Sequence, residues 1–298
     1  MERTFVKSKE IRGHSGQIFS IAFDGHFIYS SSADKFVTRW DFQTGKQDKF
    51  AIRFDKSPYS ISLISNDEKL AVGLDNGDLH IFDLLERKEI KFYQQHKSGI
   101  FHLKENKSKN KFYSSDAYGN LAVWNSVSLK LEVFLPFACG KIRRMSLNSD
   151  ESKLYLACQD GFVRVLETEF YNLIDEYFSH EGGVISINLH PENENHLFTG
   201  GKDAHLKIWN LNSKKCEKSI PAHNYAIYDI LFLDKETFVT ISRDKSIKIW
   251  DRKSLRVLQK IDAKSKGHKH SVNSIVKLDD SSFATASDDK TINCFSII

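Results

Sequence analysis

The chain has 298 residues, of which 40% are hydrophobic and 12% aromatic. This composition can supply a folded core, and four prolines and fifteen glycines are too few for a long low-complexity segment. The 43 basic and 39 acidic residues leave a formal net charge of +4, which does not by itself indicate a nucleic-acid partner.

Membrane and secretory segments are not expected. No apolar run approaches the roughly 18 residues that span a bilayer, and the N-terminal sequence lacks the apolar stretch of a secretory signal. Cys139, Cys158, Cys216 and Cys294 are scattered, without a C-x-x-C pair or a neighbouring His at ligand spacing. Reduced thiols are therefore expected instead of disulfides or a zinc site. We expect an intracellular protein, cytoplasmic or nuclear, with no metal and no cofactor.

One position recurs along the chain at a nearly constant interval. It ends a short strand pattern such as I-K-I-W, and it is held by Trp40, Phe82, Trp124, Leu166, Trp209, Trp250 and Phe295. Successive members lie 42, 42, 42, 43, 41 and 45 residues apart. Each interval contains three apolar runs of about five residues between polar turns, with room for a fourth strand and none for a helix. This period predicts an all-β fold, a β-propeller of seven blades.

In chain order, the repeat divides the whole sequence into seven units. The predicted blades are 12–53, 54–94, 95–136, 137–178, 179–221, 222–262 and 263–298. Blades one, five, six and seven carry the strongest pattern, whereas blade four has Leu166 in place of Trp. Blade three contains a lysine-rich connection, and blade seven begins after a longer basic connection. The chain is expected to be a single propeller domain.

The two ends of the chain complete the last blade. The seventh unit stops directly after its third strand, and residues 4–11 form a lone strand before the first unit. If residues 4–11 supply the missing outer strand, the ring closes and two unpaired strand edges disappear. The sequence therefore predicts closure by pairing of the N-terminal strand into the last blade.

Three blades share a set of polar residues at fixed spacing. Each set has a His at the start of the blade, a Ser or Thr in the second strand, an Asp in the next loop and a Trp six residues later. The sets are His14, Ser30, Asp34 and Trp40, then His180, Thr199, Asp203 and Trp209, then His223, Thr240, Asp244 and Trp250. Blade seven has His268, Thr285 and Asp289 but ends in Phe295. The Gly-His or Ala-His opening, the Asp loop and the Ile/Val-x-Ile-Trp-Asp strand resemble the WD40 repeat family over the whole chain.

A hydrolase triad is the catalytic interpretation of these sets. A nucleophile, however, occupies one specialised turn, whereas this set repeats with the period of the fold. The resemblance to the WD40 family implies instead a buried hydrogen-bond chain from Asp through His and Ser or Thr to the Trp indole, with about 1 kcal/mol per bond. Blades two and four lack the set, with Asp55 and Ala138 at the His position and Val72 and Leu156 at the Ser or Thr position. No phosphate-binding Gly-rich loop, H-E-x-x-H or G-x-S-x-G motif is present, and no enzymatic activity is expected.

The resemblance also implies a binding face, on which two positions per blade surround the central channel. The position five residues after the opening His is held by Phe19, Ser60, Phe101, Arg143, Ile185, Tyr228 and Asn273. The position before the loop Asp is held by Ala33, Asp75, Ala117, Gln159, Lys202, Arg243 and Asp288. Aromatic and cationic side chains anchor partners, so the predicted partner-binding residues are Phe19, Phe101, Arg143, Lys202, Tyr228 and Arg243. Alternatively, the two Phe side chains are partly buried and the cations are merely solvated.

The sequence thus predicts a protein-interaction scaffold. Its partner is expected to be a protein or peptide segment, acidic or phosphorylated, within a larger complex, with no membrane and no small-molecule substrate. The alternative is a nucleic-acid or ribonucleoprotein component that uses two lysine-rich loops. One lies on the opposite face and is formed by Lys104, Lys107, Lys109 and Lys111, and the other precedes blade seven and contains Lys264, Lys266, His268, Lys269 and His270. The first loop lacks an aromatic or Arg side chain to stack on a base, which favours a solvated turn.

Overall fold

The apolar runs of the sequence form β-strands, and these assemble into seven four-stranded sheets, one per blade. The computed structural model describes residues 4–193 and 195–298. Within them, 28 strands are numbered in chain order, beginning with β1 (Phe5–Arg12). Each blade runs antiparallel from its innermost to its outermost strand, in the order β2-β3-β4-β5 for blade one.

The first strand of each blade faces the central channel and contacts the first strand of the next blade around a closed ring. These inner strands are β2 (Ile18–Phe23), β6 (Pro58–Ile64), β10 (Ile100–Asn106), β14 (Ile142–Leu147), β18 (Val184–Leu189), β22 (Ile227–Phe232) and β26 (Val272–Asp279). The second strands are β3 (Phe27–Ser32), β7 (Lys69–Leu74), β11 (Lys111–Asp116), β15 (Lys153–Cys158), β19 (His196–Gly201), β23 (Thr237–Ser242) and β27 (Ser282–Ser287).

The two remaining strands of each blade lie farther from the channel. The third strands are β4 (Phe36–Asp41), β8 (Leu79–Asp83), β12 (Asn120–Asn125), β16 (Phe162–Glu167), β20 (His205–Asn210), β24 (Ile247–Asp251) and β28 (Thr291–Ile297). The outer strands of blades one to six are β5 (Gln47–Arg53), β9 (Lys88–Tyr93), β13 (Leu131–Pro136), β17 (Leu173–Phe178), β21 (Lys215–Pro221) and β25 (Val257–Ile261). One turn of 3₁₀ helix, Ala263–Ser265, lies between blades six and seven.

Burial follows the order of the strands within a blade. Every residue of β23 is buried, because both faces of its sheet pack against neighbouring blades. By contrast, the outer strand β21 is exposed at six of its seven residues. The hydrophobic cores therefore lie between blades. In one of them, Phe198 of blade five packs with Phe238 and Trp250 of blade six, and the last two rings stack at 5.7 Å.

The ring closes through the first strand of the chain, as the sequence predicted. β1 pairs antiparallel with β28, from Phe5 opposite Ile297 to Arg12 opposite Thr291. Phe5 and Ile11 are both only 2% exposed, and the Phe5 ring lies 5.6 Å from that of Phe283. β1 therefore fills the outer position that the seventh blade lacks. None of the described residues belongs to a helix with the length and apolar character needed to cross a membrane.

Candidate functional site

Buried His side chains fix the loops that frame one face of the ring. In blade six, His223 Nδ1 lies 3.0 Å from the Asp244 carboxylate and Nε2 lies 2.8 Å from Thr240 Oγ1, which accepts the Trp250 indole N–H at 2.8 Å. A carboxylate can only accept, so Nδ1 carries the proton and Nε2 accepts from Thr240. Burial lowers the pKa of His223 although Asp244 opposes that shift, which keeps the imidazole neutral.

The same chain links the residues predicted for blades one and five. In blade one, His14 lies 2.8 Å from Asp34 and 2.7 Å from Ser30, which accepts from Trp40 at 2.7 Å. In blade five, the corresponding distances from His180 to Asp203 and Thr199 are 3.0 and 2.8 Å, and Trp209 donates to Thr199 at 3.1 Å. Blade seven has the His268, Asp289 and Thr285 contacts at 2.9 Å each.

Blade three contains a set that the sequence pattern missed. His96 lies 2.9 Å from Asp116 and 2.7 Å from Ser114, which accepts from Trp124 at 2.8 Å. Asp116 is the last residue of β11, so the Trp follows it by eight residues instead of six. The His-to-Asp interval of 20 residues, shared with His14 and Asp34, was the signal that could have revealed the set.

Two other contacts replace the set in blades two and four. Phe54, and not Asp55, stands at the His position of blade two, where it is buried and packs 6.0 Å from the Phe82 ring. Asp55 is exposed. In blade four, the buried thiols of Cys139 and Cys158 are neighbours in space, since Cys158 lowers the pKa of Cys139 and Cys139 raises the pKa of Cys158, although the two residues are far apart in sequence.

All seven inner strands carry a β-bulge at their second residue. The bulged residues are Phe19, Tyr59, Phe101, Arg143, Ile185, Tyr228 and Asn273. A bulge redirects one side chain out of the strand alternation, here toward the mouth of the channel. The blade-two member is therefore Tyr59, and the expectation of Ser60 was wrong by one residue because it was counted from Asp55. Ser60 is 3% exposed, and its hydroxyl donates to the Ile100 carbonyl at 2.9 Å.

Aromatic rings occupy the mouth of the channel on blades one to three. The Phe19 and Tyr59 rings lie edge to face at 5.1 Å, and Tyr59 lies 5.6 Å from Phe101. All three side chains are half-buried. We call Phe19, Tyr59 and Phe101 the aromatic arc. Part of each ring faces solvent, which agrees with the partial burial that the sequence left as an alternative.

Cations adjoin the arc on blades four to six. Lys141 Nζ and the Arg143 guanidinium lie 4.8 and 4.9 Å from the centre of the Phe101 ring. The Arg143 Nε is buried and has no hydrogen-bond partner among the described residues. Burial raises the pKa of Tyr228, while the charges of Arg243 and Arg143 oppose that rise, so the phenol lies near both cations. We call Lys141, Arg143, Lys202 and Arg243 the cationic arc.

The remaining rim residues complete this division. Lys202 and Arg243 are exposed, and the Arg243 guanidinium lies 5.9 Å from the exposed Tyr225 ring. On blade seven, Asp288 accepts from the Asn273 side chain at 2.7 Å. Tyr59 was missed from the sequence because blade two was counted from Asp55. Lys141 and Tyr225 were also missed, because only two fixed positions per blade were considered and these residues lie beside them.

A cavity of about 690 Å³ extends below the rim into the channel. Ser20, Ser274 and His102 each accept a backbone N–H from a neighbouring inner strand, the last at 3.2 Å from Met145. His102 must therefore keep an unprotonated Nδ1, and burial lowers its pKa well below the usual value. Arg144 of blade four forms an ion pair with Asp229 of blade six, so this contact reaches past blade five.

The predicted lysine-rich loop does not form one patch. Lys104 belongs to β10 and lines the channel cavity. Lys107, Lys109 and Lys111 lie instead near Glu105, Glu169 and Glu132, at 4.0 and 2.8 Å for the first two pairs. Within residues 4–193 and 195–298, no group of three or more His, Cys, Asp and Glu side chains is arranged to hold a metal ion.

Comparison with known proteins agrees with this architecture. A family model described as "WD domain, G-beta repeat" matches residues 5–41, 171–210, 214–251 and 258–296, together just over half of the chain. WD repeat-containing protein 55 of Arabidopsis thaliana is 20% identical over 253 residues, which are 84% of this chain and 72% of that protein.

Two further relatives match shorter segments. The WD repeat-containing protein 91 homolog of Dictyostelium discoideum is 32% identical over 32% of this chain and 12% of its own length. CCR4-associated factor 4 of Saccharomyces cerevisiae is 30% identical over 35% of this chain and 19% of its own length. The matched segments thus span less than a fifth of either of these two proteins.

Proposed function

Because this chain belongs to the WD40 repeat family, we propose that it is a non-enzymatic scaffold that binds a segment of a partner protein across the mouth of its channel. The observation that carries the proposal is the division of the rim into an aromatic arc on blades one to three and a cationic arc on blades four to six. One of the relatives is CCR4-associated factor 4, a protein named for its association with another, which supports a role in association.

The cationic arc favours an acidic or phosphorylated group on the partner. Arg143 and Arg243 have no carboxylate partner among the described residues, and Tyr228 lies near both guanidinium groups. A guanidinium can donate two parallel hydrogen bonds to a carboxylate or a phosphate, which adds geometric specificity to charge attraction. The Tyr228 ring adds rigid contact area with little loss of side-chain entropy.

The aromatic arc offers a surface for apolar side chains of the same segment. Three rings in mutual contact keep one another in place, so little ordering entropy is lost when a partner covers their exposed edges. Large aromatic residues near the centre of an interface commonly dominate its binding energy. Phe19, Tyr59 and Phe101 are therefore expected to anchor the segment beside its acidic group.

The lysine-rich connection gives little support to a nucleic-acid function. Two of its lysines, Lys109 and Lys111, form ion pairs with glutamates, which reduces the positive field that a phosphate backbone would need. Retention on heparin at low salt that disappears as salt rises is the observation that would favour this alternative. The rim offers cations without a paired carboxylate beside three packed aromatic rings, and it is the surface on which the proposal rests.

The test is capture of a partner from native extract by a double variant, Arg143→Ala with Arg243→Ala. Loss of a desolvated anchor usually costs about 2 kcal/mol or more, so capture should fall by at least about 30-fold while the melting temperature changes little. The matched control is Lys107→Ala with Lys109→Ala, which removes two charges from the other connection and should capture normally. Loss of capture in the lysine variant, with normal capture by the arginine variant, would show that the binding surface has been assigned to the wrong side of the ring.

A further inference from the structure

Among the described residues, no carboxylate contacts the ammonium group of Lys104 in the channel. Lys104 lines the cavity from β10, and no described residue forms a hydrogen bond or an ion pair with it. The three lysines that follow it each lie within 4.0 Å of a glutamate. Burial lowers the pKa of Lys104 and the charge of Arg144 adds to this shift, whereas the charges of Glu151, Asp229 and Glu105 oppose it. Lys104 is thus a cation inside the ring that has carboxylates nearby but is paired with none of them.

Other cations line the same cavity. Lys141 and Arg143 cover Phe101 at its mouth, and Arg144 lies near Lys104. Two carboxylates also line the cavity, Asp67 and Asp288, and the latter already accepts a hydrogen bond from Asn273. Asp229 balances Arg144, which leaves Lys104, Lys141 and Arg143 without a paired carboxylate among the described residues. Three unpaired cations around one cavity are costly unless an anion enters it.

The cations of the cavity form two tiers. The upper tier consists of Lys141 and Arg143, whose buried Nε has no acceptor among the described residues. The lower tier consists of Lys104 and the neighbouring Arg144. Phe101, which the upper tier covers, lies three residues before Lys104 on the same strand, a separation of about 10 Å at roughly 3.3 Å per residue. A ligand that reaches both tiers must therefore carry several anionic groups spread over about this distance.

We propose that the channel binds a compact polyphosphate, with one phosphate group between Lys141 and Arg143 and another against Lys104 and Arg144. Phosphate suits the site because each group carries more charge than a carboxylate and accepts the forked guanidinium donors. The cavity volume of about 690 Å³ gives room for several such groups. The proposed ligand is a small molecule, whereas the sequence led us to expect no cofactor and no small-molecule substrate.

The site shares Lys141 and Arg143 with the proposed protein-binding surface and is otherwise separate from it. Lys104 lies below the aromatic and cationic arcs, at a depth that a partner segment lying across the rim does not need to reach. Polyphosphate binding and partner capture can therefore be lost independently, and Lys104 is the residue that separates them.

The experiment is titration calorimetry of the full chain with inositol hexakisphosphate, and with orthophosphate as the single-group probe. The wild type should bind one inositol hexakisphosphate, and at least about 100-fold more tightly than orthophosphate, because only the larger probe reaches both tiers. Lys104→Met should weaken inositol hexakisphosphate binding by at least about tenfold. Lys104→Arg should retain it, and Lys107→Met, the matched control on the exposed turn, should bind like the wild type.

Three results would overturn the inference: no binding by the wild type, equal affinity for the two probes, or undiminished binding by Lys104→Met. An equal loss in Lys107→Met would show nonspecific charge attraction and would also overturn it. Thermal melting without ligand checks that each variant is folded, and Lys104→Gln, which also removes the charge and should lose binding to the same extent, replaces Lys104→Met if that variant is not folded. Partner capture by Lys104→Met should be normal, so failure of this inference leaves the rim proposal standing.

Discussion

At the scale of single residues, the buried polar sets join the start of a blade to its second and third strands and to the loop between those strands. In blade six, Asp244 accepts from His223, from the Asn224 N–H at 3.0 Å and from the Ser246 N–H at 2.9 Å. One carboxylate thus joins the start of the blade to the loop before its third strand. These contacts and the His223 imidazole lower the pKa of Asp244 despite its burial, so it is ionised at neutral pH.

The first prediction at this scale is that Asp244→Ala destabilises the protein by about 1–3 kcal/mol, because the buried His223 N–H loses its acceptor. Unfolding in urea measures the difference. Asp280→Ala is the control, since this side chain is 85% exposed and forms an ion pair with Lys277, and its loss should change stability by about 0.5 kcal/mol or less. Equal effects of the two substitutions on the free energy of unfolding would show that the Asp244 contacts do not stabilise the loop.

At the scale of secondary structure, the period of the apolar runs was enough to predict which segments are strands and how the ring closes. A blade cannot bury its sheet alone, so strand count and spacing are dictated by the packing of neighbours. The period could not give the position of the side chains at the mouth, because a β-bulge in every inner strand shifts the alternation. Blade two shows the limit clearly: without its His, the register was counted from Asp55 and gave Ser60 instead of Tyr59.

The contacts around the channel also could not be predicted from the sequence. The ion pair between Arg144 and Asp229 joins residues 85 positions apart, and nothing in a local pattern relates blade four to blade six. Lys104 was assigned to a turn because the run of lysines looked continuous, whereas strand β10 extends through it to Asn106. Sequence therefore indicated which blades carry cations and aromatics, and the structure was needed to show which of them share a cavity.

The closing strand β1 supports a second prediction. Removal of residues 1–11 should lower the melting temperature strongly or cause aggregation, because it uncovers the edge of β28 and the cores that Phe5 and Ile11 fill. Each of these two side chains stabilises the fold by about 1.5–3 kcal/mol through burial. Addition of a synthetic peptide of residues 1–12 should restore the melting temperature in a concentration-dependent way.

The control for this rescue is the same peptide with Phe5→Ser and Ile11→Ser, which keeps the backbone but cannot fill the two cores. Rescue by both peptides would mean that backbone pairing alone closes the ring. A truncated protein that stays monomeric with unchanged melting would contradict the role assigned to β1.

At the scale of the whole molecule, the ring depends on imidazoles that must stay neutral. Burial lowers the pKa of His14, His180 and His223, although their Asp partners oppose the shift in each case. Burial also lowers the pKa of His102, and the charges of Arg144 and Lys104 add to the shift. These four side chains are spread over four blades, so their protonation acts on the ring as a whole.

The last prediction follows from these lowered pKa values. In the unfolded chain each His takes up a proton below a pKa of about 6.5, whereas the folded ring resists protonation, so acid favours unfolding. The free energy of unfolding should therefore have its full value at pH 7.5. It should decline as the pH falls to 5.5, by up to about 1.4 kcal/mol per pH unit for each His. The lowered pKa values of Asp34, Asp203 and Asp244 act in the same direction only near pH 4 and below, outside this window.

His102→Ser isolates one of these contributions. Serine already fills the equivalent position in blades one, two, five and seven, as Ser20, Ser60, Ser186 and Ser274, and its hydroxyl can accept the Met145 N–H in place of the imidazole. The variant should keep nearly the wild-type stability at pH 7.5 and lose less of it by pH 5.5, as measured by urea unfolding at each pH. If the wild type is equally stable at both pH values, or if the variant declines as steeply, then the neutral state of His102 does not contribute to the stability of the ring.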